Sequence, residues 1–337
     1  MSRVWEVRVH GSPGVADART AAREACGRAG LAARADVAEL VATELATGLL
    51  RQAGSGLLVV NLVPAPAGSG SSVQVYALGH GPGVTEVPAA PCDGYGTAAD
   101  ALQRYGVPGR GTVAAARIDP EPGAGQPSGG GVSVGGIALA LGQAEECGDA
   151  WGWARSGRLL TLLLADGLGH GARAALAADT AVAELRRAAR LPPGDLLRRL
   201  HTVLRPTRGA AVAVAQVDTE HGELCFAGVG NIGARLRVGD RWSSLISHPG
   251  IVGAHFPARV PLRRVPWRGD SLLVVHSDGL PSRWSPPDDP RLLGHDPPVV
   301  AATILRDAGG PGRPLRDDTS VAVLAPDRRT RTHDSRF

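Results

Sequence analysis

The sequence predicts a two-domain α+β protein, with helices embedded among hairpin-spaced strands, not a doubly wound sheet. Three observations lead there. At 337 residues the chain exceeds what one hydrophobic core usually serves. Short strand-like runs outnumber the helical segments. Residues 119–131 read Asp-Pro-Glu-Pro-Gly-Ala-Gly-Gln-Pro-Ser-Gly-Gly-Gly, which holds too little apolar surface to fold alone. That segment divides the chain into a domain at 1–118, a linker at 119–131, a domain at 132–326 and a polar tail at 327–337.

In the first domain Val4, Glu6, Arg8 and His10 alternate with their neighbours as in a strand, and a helix spans about Val15 to Ala29, ending at Gly30. Asp36 and Glu39 have capping-box spacing ahead of a second helix, which carries Val37, Leu40, Val41, Leu45 and Leu49 and stops near Gln52 and Gly54. Strands follow at Gly56–Val63, Ser72–Leu78 and Gly111–Ile118. The second domain opens with a strand at Val132–Gly142, a turn, and a strand at Arg158–Ala165. A long helix, about Ala172 to Leu191, is stopped by Pro192 and Pro193, and another covers about Asp195 to Leu204. Strands are expected at Ala210–Val217, Glu223–Ala227, Ala234–Val238, Ser271–His276 and Thr319–Leu324, with a helix near Val299–Asp307.

Composition removes several classes of function. The 36 basic residues against 32 acidic give a net charge of +4, every basic residue is Arg, and no run of five or six occurs, so nucleic acid and anionic membranes are not expected partners. The apolar stretches Leu159–Ala165 and Leu272–Val275 are far shorter than the roughly 20 residues of a membrane helix. The N-terminus lacks the apolar core of a secretory signal, which predicts a cytoplasmic protein. Cys26, Cys92, Cys147 and Cys225 lie far apart without a CxxC pair, so neither a thiolate zinc site nor a disulfide framework is expected.

Two segments repeat one device: Leu162-Leu163-Leu164-Ala165-Asp166-Gly167-Leu168 and Leu273-Val274-Val275-His276-Ser277-Asp278-Gly279-Leu280. Each is an apolar strand ending in Asp-Gly-Leu, which delivers a carboxylate followed by a glycine that lets backbone oxygen approach closely. Asp149 after Gly148, and Asp317-Asp318 before a strand, share the context. Taken singly, an Asp-Gly is a common turn and an Asp-Asp a solvated pair. Together they are four acidic positions whose mutual repulsion calls for cations, and an oxygen-only donor set favours Mg²⁺ or Mn²⁺ over Zn²⁺. The run Asp166-Gly167-Leu168-Gly169-His170-Gly171 also reads as a phosphate-cradling loop.

Gly148-Asp149-Ala150-Trp151, Ala165-Asp166-Gly167-Leu168-Gly169-His170-Gly171, Ser277-Asp278-Gly279 and Arg316-Asp317-Asp318-Thr319-Ser320, in that order, resemble the SpoIIE and RsbX-type serine phosphatases of the metal-dependent type 2C superfamily. Arg208-Gly209-Ala210-Ala211 and Phe226-Ala227-Gly228-Val229-Gly230-Asn231-Ile232 are similar to that group too, and the likeness runs from about Val132 to Ala325. It implies an α-β-β-α sandwich and two Mn²⁺ or Mg²⁺ ions. In this reading Asp166 bridges the ions, Gly167 offers its carbonyl, Asp278 and Asp317 bind one ion, and Asp149 completes the set. A water shared by two such ions attacks phosphorus, so no protein nucleophile is needed. His170 is the nearest candidate general acid, yet it stands four residues after Asp166, where eukaryotic-type members have a His two residues on; Leu168 fills that place. His170 therefore reads first as loop architecture. Arg155 and Arg208 are the candidate substitutes for the phosphate-binding Arg of eukaryotic members.

The first domain, with Glu44-Leu45-Ala46-Thr47-Gly48 on its second helix and Gly79-His80-Gly81-Pro82-Gly83 after a strand, resembles the GHKL-type ATPase domains of anti-sigma-factor serine kinases over Val4 to Ile118. The resemblance implies a nucleotide pocket at Glu44, Gly81 and Gly83. Gly48 replaces the Mg²⁺-binding Asn, Gly79 replaces the adenine-binding Asp, and Ala98-Ala99-Asp100-Ala101 lacks the glycines of an ATP lid, so ATP binding is expected to be impaired or absent. A docking or regulatory module results. The sequence thus points to a protein serine phosphatase acting on a phosphoserine STAS-domain regulator in a partner-switching pathway, with an anti-sigma factor as a second partner. A catalytically silent docking protein and an anti-sigma kinase with an attached phosphatase are the alternatives. The complete acidic set counts against the first, and Gly48 and Gly79 against the second.

Overall fold

A computed structural model of the protein describes residues 3–64, 70–83, 101–120, 131–310 and 315–327. The described residues of Arg3–Gly125 and Pro287–Pro314 form one compact unit, and those of Gln126–Pro286 and Leu315–Phe337 form another. Pro287–Pro314 thus groups with the N-terminal unit, although it lies inside the 132–326 stretch expected as the second domain. Most of the expected linker (121–130) and tail (328–337) lies outside the described residues, as does Ala98-Ala99-Asp100.

The N-terminal unit contains β1 (Val4–Val9), α1 (Ser12–Ala29), α2 (Ala35–Ala53), β2 (Gly56–Pro64), β3 (Ser71–Gly79), β4 (Ala101–Val107) and β5 (Gly111–Ile118). Its antiparallel sheet has the order β1-β2-β3-β5-β4. Strand alternation puts Leu58, Val60, Val73, Val75, Ala114 and Ile118 on one face, against the alanines of α1 and Leu45 and Leu49 of α2. Each fully buried Leu or Val of this kind contributes about 1.5–3 kcal/mol. Both helices end at left-handed glycines, Gly30 and Gly54. The capping box does not form: α2 already begins at Ala35, and Glu39 instead pairs with Arg19 and Arg23 of α1. Strand β4 was not expected, because Gln103-Arg104 breaks its alternation.

Two further helices belong to this unit, α5 (Pro290–Leu293) and α6 (Pro297–Ala308). They meet the sheet through side chains outside the helix-facing core. Tyr105 Oη donates to Asp289 Oδ2 at 2.7 Å, the Asp296 N–H donates to Gln103 Oε1 at 3.0 Å, and the Tyr105 and His295 rings meet edge-on at 5.4 Å. Helix α6 is buried on all sides, from Val299 and Val300 to Ile304 and Leu305.

The second unit has two five-stranded antiparallel sheets. One, in the order β13-β10-β9-β8-β7, comprises β7 (Asp149–Ser156), β8 (Leu159–Gly167), β9 (Ala210–Asp218), β10 (Glu223–Val229) and β13 (Arg263–Pro266). The other, β12-β11-β14-β15-β6, comprises β6 (Val132–Leu139), β11 (Gly233–Val238), β12 (Arg241–Ile246), β14 (Leu272–His276) and β15 (Thr319–Pro326). Helices α3 (Ala172–Arg187) and α4 (Pro193–Val203) cover the first sheet, where Ala150, Ala154, Leu163 and Ala165 meet Ala178, Ala181 and Leu185. The alternate residues face the other sheet: the Trp151 indole lies so close to Gly136 of β6 that a Cβ there would stand 2.7 Å from Cε2. Strand β7 occupies the segment read as a turn. Its Gly152 is a packing glycine, since a Cβ there would meet Val182 of α3 at 2.6 Å. Strands β12 and β13 are also additions, and α3 ends at Arg187, short of the expected Leu191. Among the described residues the second unit has helices only on the first sheet. The outer helical layer of the expected α-β-β-α sandwich is not found in this unit, because α5 and α6 pack in the other.

Candidate functional site

Asp149 and Asp166 stand directly opposite each other in the β7–β8 ladder. The period of two places Asp166 on the same side as Leu162 and Leu164, and Asp149 on the side of Trp151, so both carboxylates leave the sandwich interior at one end. Directly opposed strand residues have Cβ atoms roughly 5 Å apart, where like charges repel. On the other sheet, His276 pairs with Val321 across β14 and β15. Ser277-Asp278 therefore runs past Asp318-Thr319-Ser320, with Ser277 N donating to Ser320 O and Ser320 N to Ser277 Oγ.

The glycines of the repeated device have a packing cause. A Cβ on Gly167 would run into the Ala174 carbonyl of α3, and one on Gly279 into Asp318 O and Thr319. The carboxylates differ in environment. Asp149 is buried, and neither of its oxygens has a hydrogen-bond partner. Burial, and then the charge of Asp166, drive its carboxyl well above the usual range, against the nearby Ser277 and Ser320 hydroxyls. Burial, followed by the charges of Asp278, Asp317 and Asp318, pushes Asp166 up to about 7. Asp278 is raised by burial and by Asp317, and is held back by Asn231, whose Nδ2 donates to its Oδ2 at 2.6 Å.

Asp318 has a different part from its neighbour. It is buried and accepts from the Leu141 and Gly148 N–H groups, each at 2.7 Å, which ties β6 and β7 to the start of β15. Asp317 is exposed, and its Oδ1 accepts the Asp318 N–H. His170 is exposed in the loop after β8, with no hydrogen bond to the carboxylates among the described residues.

Sequence reasoning assigned no role to Asn231 or His276. His276 is half-buried, and its pKa is lowered chiefly by desolvation. Trp284 Nε1 donates to its Nε2, so the proton sits on Nδ1, which donates to Ser277 O at 2.9 Å and fixes the approach to Asp278. The His-Ser-Asp-Gly adjacency was the available signal.

Among the described residues, no three His, Cys, Asp or Glu side chains close on one point as a finished metal-ligand set. The carboxylates share a field without forming a cage. Their chemistry nonetheless fits a hard divalent cation: the donors are all oxygen, Asp149 is buried without a partner, and the charges that raise Asp166 are those a cation would offset.

Two of the GHKL-like positions, Glu44 and Gly48, lie on one small pocket. Glu44, Gly48, Arg51, Arg104 and Thr112 line a pocket of about 50 Å³, against roughly 300–1,000 Å³ for ordinary ligand sites. Gly81 and Gly83 lie outside its lining. A Cβ on Gly81 would stand 2.5 Å from Ala53 Cα, and one on Gly79 3.1 Å from Leu49 Cδ2, so the end of α2 fills that side.

The fold is that of the PP2C phosphatase domain of SpoIIE from Bacillus subtilis, solved with a fragment of its regulatory domain. That structure is 16% identical, with a TM-score of 0.51 over 80% of this chain and 81% of its own. The fold is therefore of the PP2C type. Residues 156–326 match the SpoIIE family, Stage II sporulation protein E, and the chain belongs to that family, as a protein serine/threonine phosphatase. A structure described under "The bacterial stressosome: a modular system that has been adapted to control secondary messenger signaling" is 28% identical. It covers 57% of this chain and 98% of its own, at a TM-score of 0.50. RsbX in complex with magnesium is 17% identical over 59% and 98%, at 0.48. No curated protein matches. Among the described residues no helix is long and apolar enough to cross a membrane.

Proposed function

We propose that the protein is a Mn²⁺- or Mg²⁺-dependent phosphoserine phosphatase acting on a STAS-domain regulator of a partner-switching circuit. The observation that carries this reading is the convergence of strand-end carboxylates, with Asp166 raised by three acidic neighbours and Asp149 buried without a partner. Asp149, Asp166, Asp278, Asp317 and the Gly167 carbonyl would hold two ions, and a bound ion pair supplies an ionised water and neutralises phosphoryl oxygens. The chain's own residues set the conditions. Asp318 and His276 fix the two backbone segments that present Asp317 and Asp278, and Asn231 orients the Asp278 carboxylate. The described structure leaves His170 exposed and unheld, which supports loop architecture over proton transfer.

The N-terminal unit is read as a degenerate GHKL-like module without ATP, in keeping with its small pocket. Its role is regulatory docking. In support, α5 and α6 lie in sequence between Asp278 and Asp317 and pack within this unit. The second partner is an anti-sigma factor, and the site of action is the cytoplasm.

Hydrolysis of a phosphoserine STAS protein or an aryl phosphate tests the reading. We expect turnover only with Mn²⁺ or Mg²⁺, and a loss of at least about 100-fold in Asp166→Asn. Metal-independent turnover, or an Asp166→Asn protein with full activity, would sink it.

A further inference from the structure

Resting on the phosphatase reading above, we propose that Arg208 is the residue that grips the substrate phosphoryl group. Gly167 pairs with Ala210 and Asp166 with Ala211 across β8 and β9, so Arg208 stands at the mouth of the ladder that presents Asp166. The Leu168 N–H donates to Gly209 O at 3.0 Å and ties the two loops together. Gly209 turns there with a φ of +84°, where a Cβ would stand 2.8 Å from Val252 O. The chain direction at Arg208 is therefore fixed by backbone.

The guanidinium lies over the loop that follows Asp166: Arg208 Nη1 is 3.0 Å from the place a Gly169 Cβ would take. Gly169 has a φ of +89°, so any side chain there would be strained and would also displace the arginine. Arg208 is exposed and makes no hydrogen bond or ion pair among the described residues. An exposed cation held over the loop that follows Asp166, and paired with no carboxylate among the described residues, is available to an incoming anion. Its planar fork of donors matches phosphoryl oxygens two at a time.

The rival assignment fails on position. Arg155 lies six residues along β7 from Asp149, about 20 Å at the usual strand rise. Its Nε and Nη2 are buried without partners and its pKa is lowered by burial. It belongs to the far end of the sandwich.

Inorganic phosphate titrated calorimetrically into the full chain with Mn²⁺, beside steady-state hydrolysis of a phosphoserine peptide, tests the assignment. Arg208→Ala should raise both the phosphate Kd and KM by about 10- to 100-fold, the range of a lost charged hydrogen bond, with a smaller fall in kcat. Arg208→Lys should recover part of the loss. Arg173→Ala, an exposed arginine at the start of α3, should change either constant by less than about threefold. Arg208→Gln serves should the alanine variant fail to fold. Unchanged Kd and KM in Arg208→Ala, or the large loss appearing in Arg173→Ala, would overturn the proposal. Should the wild-type chain turn over no phosphoester, the phosphatase reading falls, and the phosphate titration still decides Arg208.

Discussion

The two units treat the ends of their central strands in opposite ways. In the second unit, β8 and β14 run out into Asp166-Gly167 and Asp278-Gly279, and the glycines let neighbouring backbone close in while the carboxylates stay at the strand ends. In the N-terminal unit β3 runs out into Gly79-His80-Gly81, and α2 closes over it through Leu49 and Ala53. One end keeps charge that its surroundings disfavour; the other is closed by apolar packing. Net like charge held in partial burial is a cost that function explains, whereas an apolar packed strand end needs no such explanation.

The largest test of this contrast is pH. Asp166 has a folded pKa near 7, against about 3.9 when unfolded, so the folded state holds its proton more tightly. That contribution to stability is fully present below about pH 4 and is lost as pH rises through 7, a change on the order of 4 kcal/mol at 1.36 kcal/mol per unit. Thermal unfolding of the metal-free protein should show the loss, and Asp166→Asn should flatten it. Stability that rises across the window in the wild type, with no change in slope in the variant, would break the contrast.

Glycine substitutions sharpen it further. Gly167→Ala places a methyl against the Ala174 carbonyl and should cost about 1–3 kcal/mol in chemical denaturation, with activity falling as Asp166 shifts. Gly48→Ala meets nothing within 4 Å in the interior of α2, so the same substitution there should stabilise the protein by about 0.5–1 kcal/mol and leave hydrolysis alone. Destabilisation by Gly48→Ala would mean that the pocket beside Glu44 is more crowded than described.

Much of this was legible in the sequence because it rests on short-range rules. The Asp-Gly-Leu strand ends, the Gly30 and Gly54 stops and most strands follow from alternation and helix termination. What escaped depends on distant partners. Strand β7 reads as a turn because its Gly152 serves packing against Val182 of α3, a partner only the fold brings to it. Glu39 left its capping-box role for two arginines on α1. Helix α6 has the expected helical composition near Val299–Asp307, but neither α5 nor the fact that Tyr105 and Gln103, nearly 200 positions earlier, receive the two helix starts is announced locally. Asp318 looks like half of an acidic pair, and only the fold shows that it holds the Leu141 and Gly148 amides.

The central claim is that the carboxylates gathered at the ends of β7, β8, β14 and β15 form a divalent-cation site. Calorimetric titration of Mn²⁺ into the metal-free full chain at about pH 8, in wild type and in Asp166→Asn, tests it most directly. Saturable binding accompanied by proton release, weakened at least about tenfold in the variant, is the predicted result. Equal heats in the two proteins, or no saturable binding in the wild type, would contradict it.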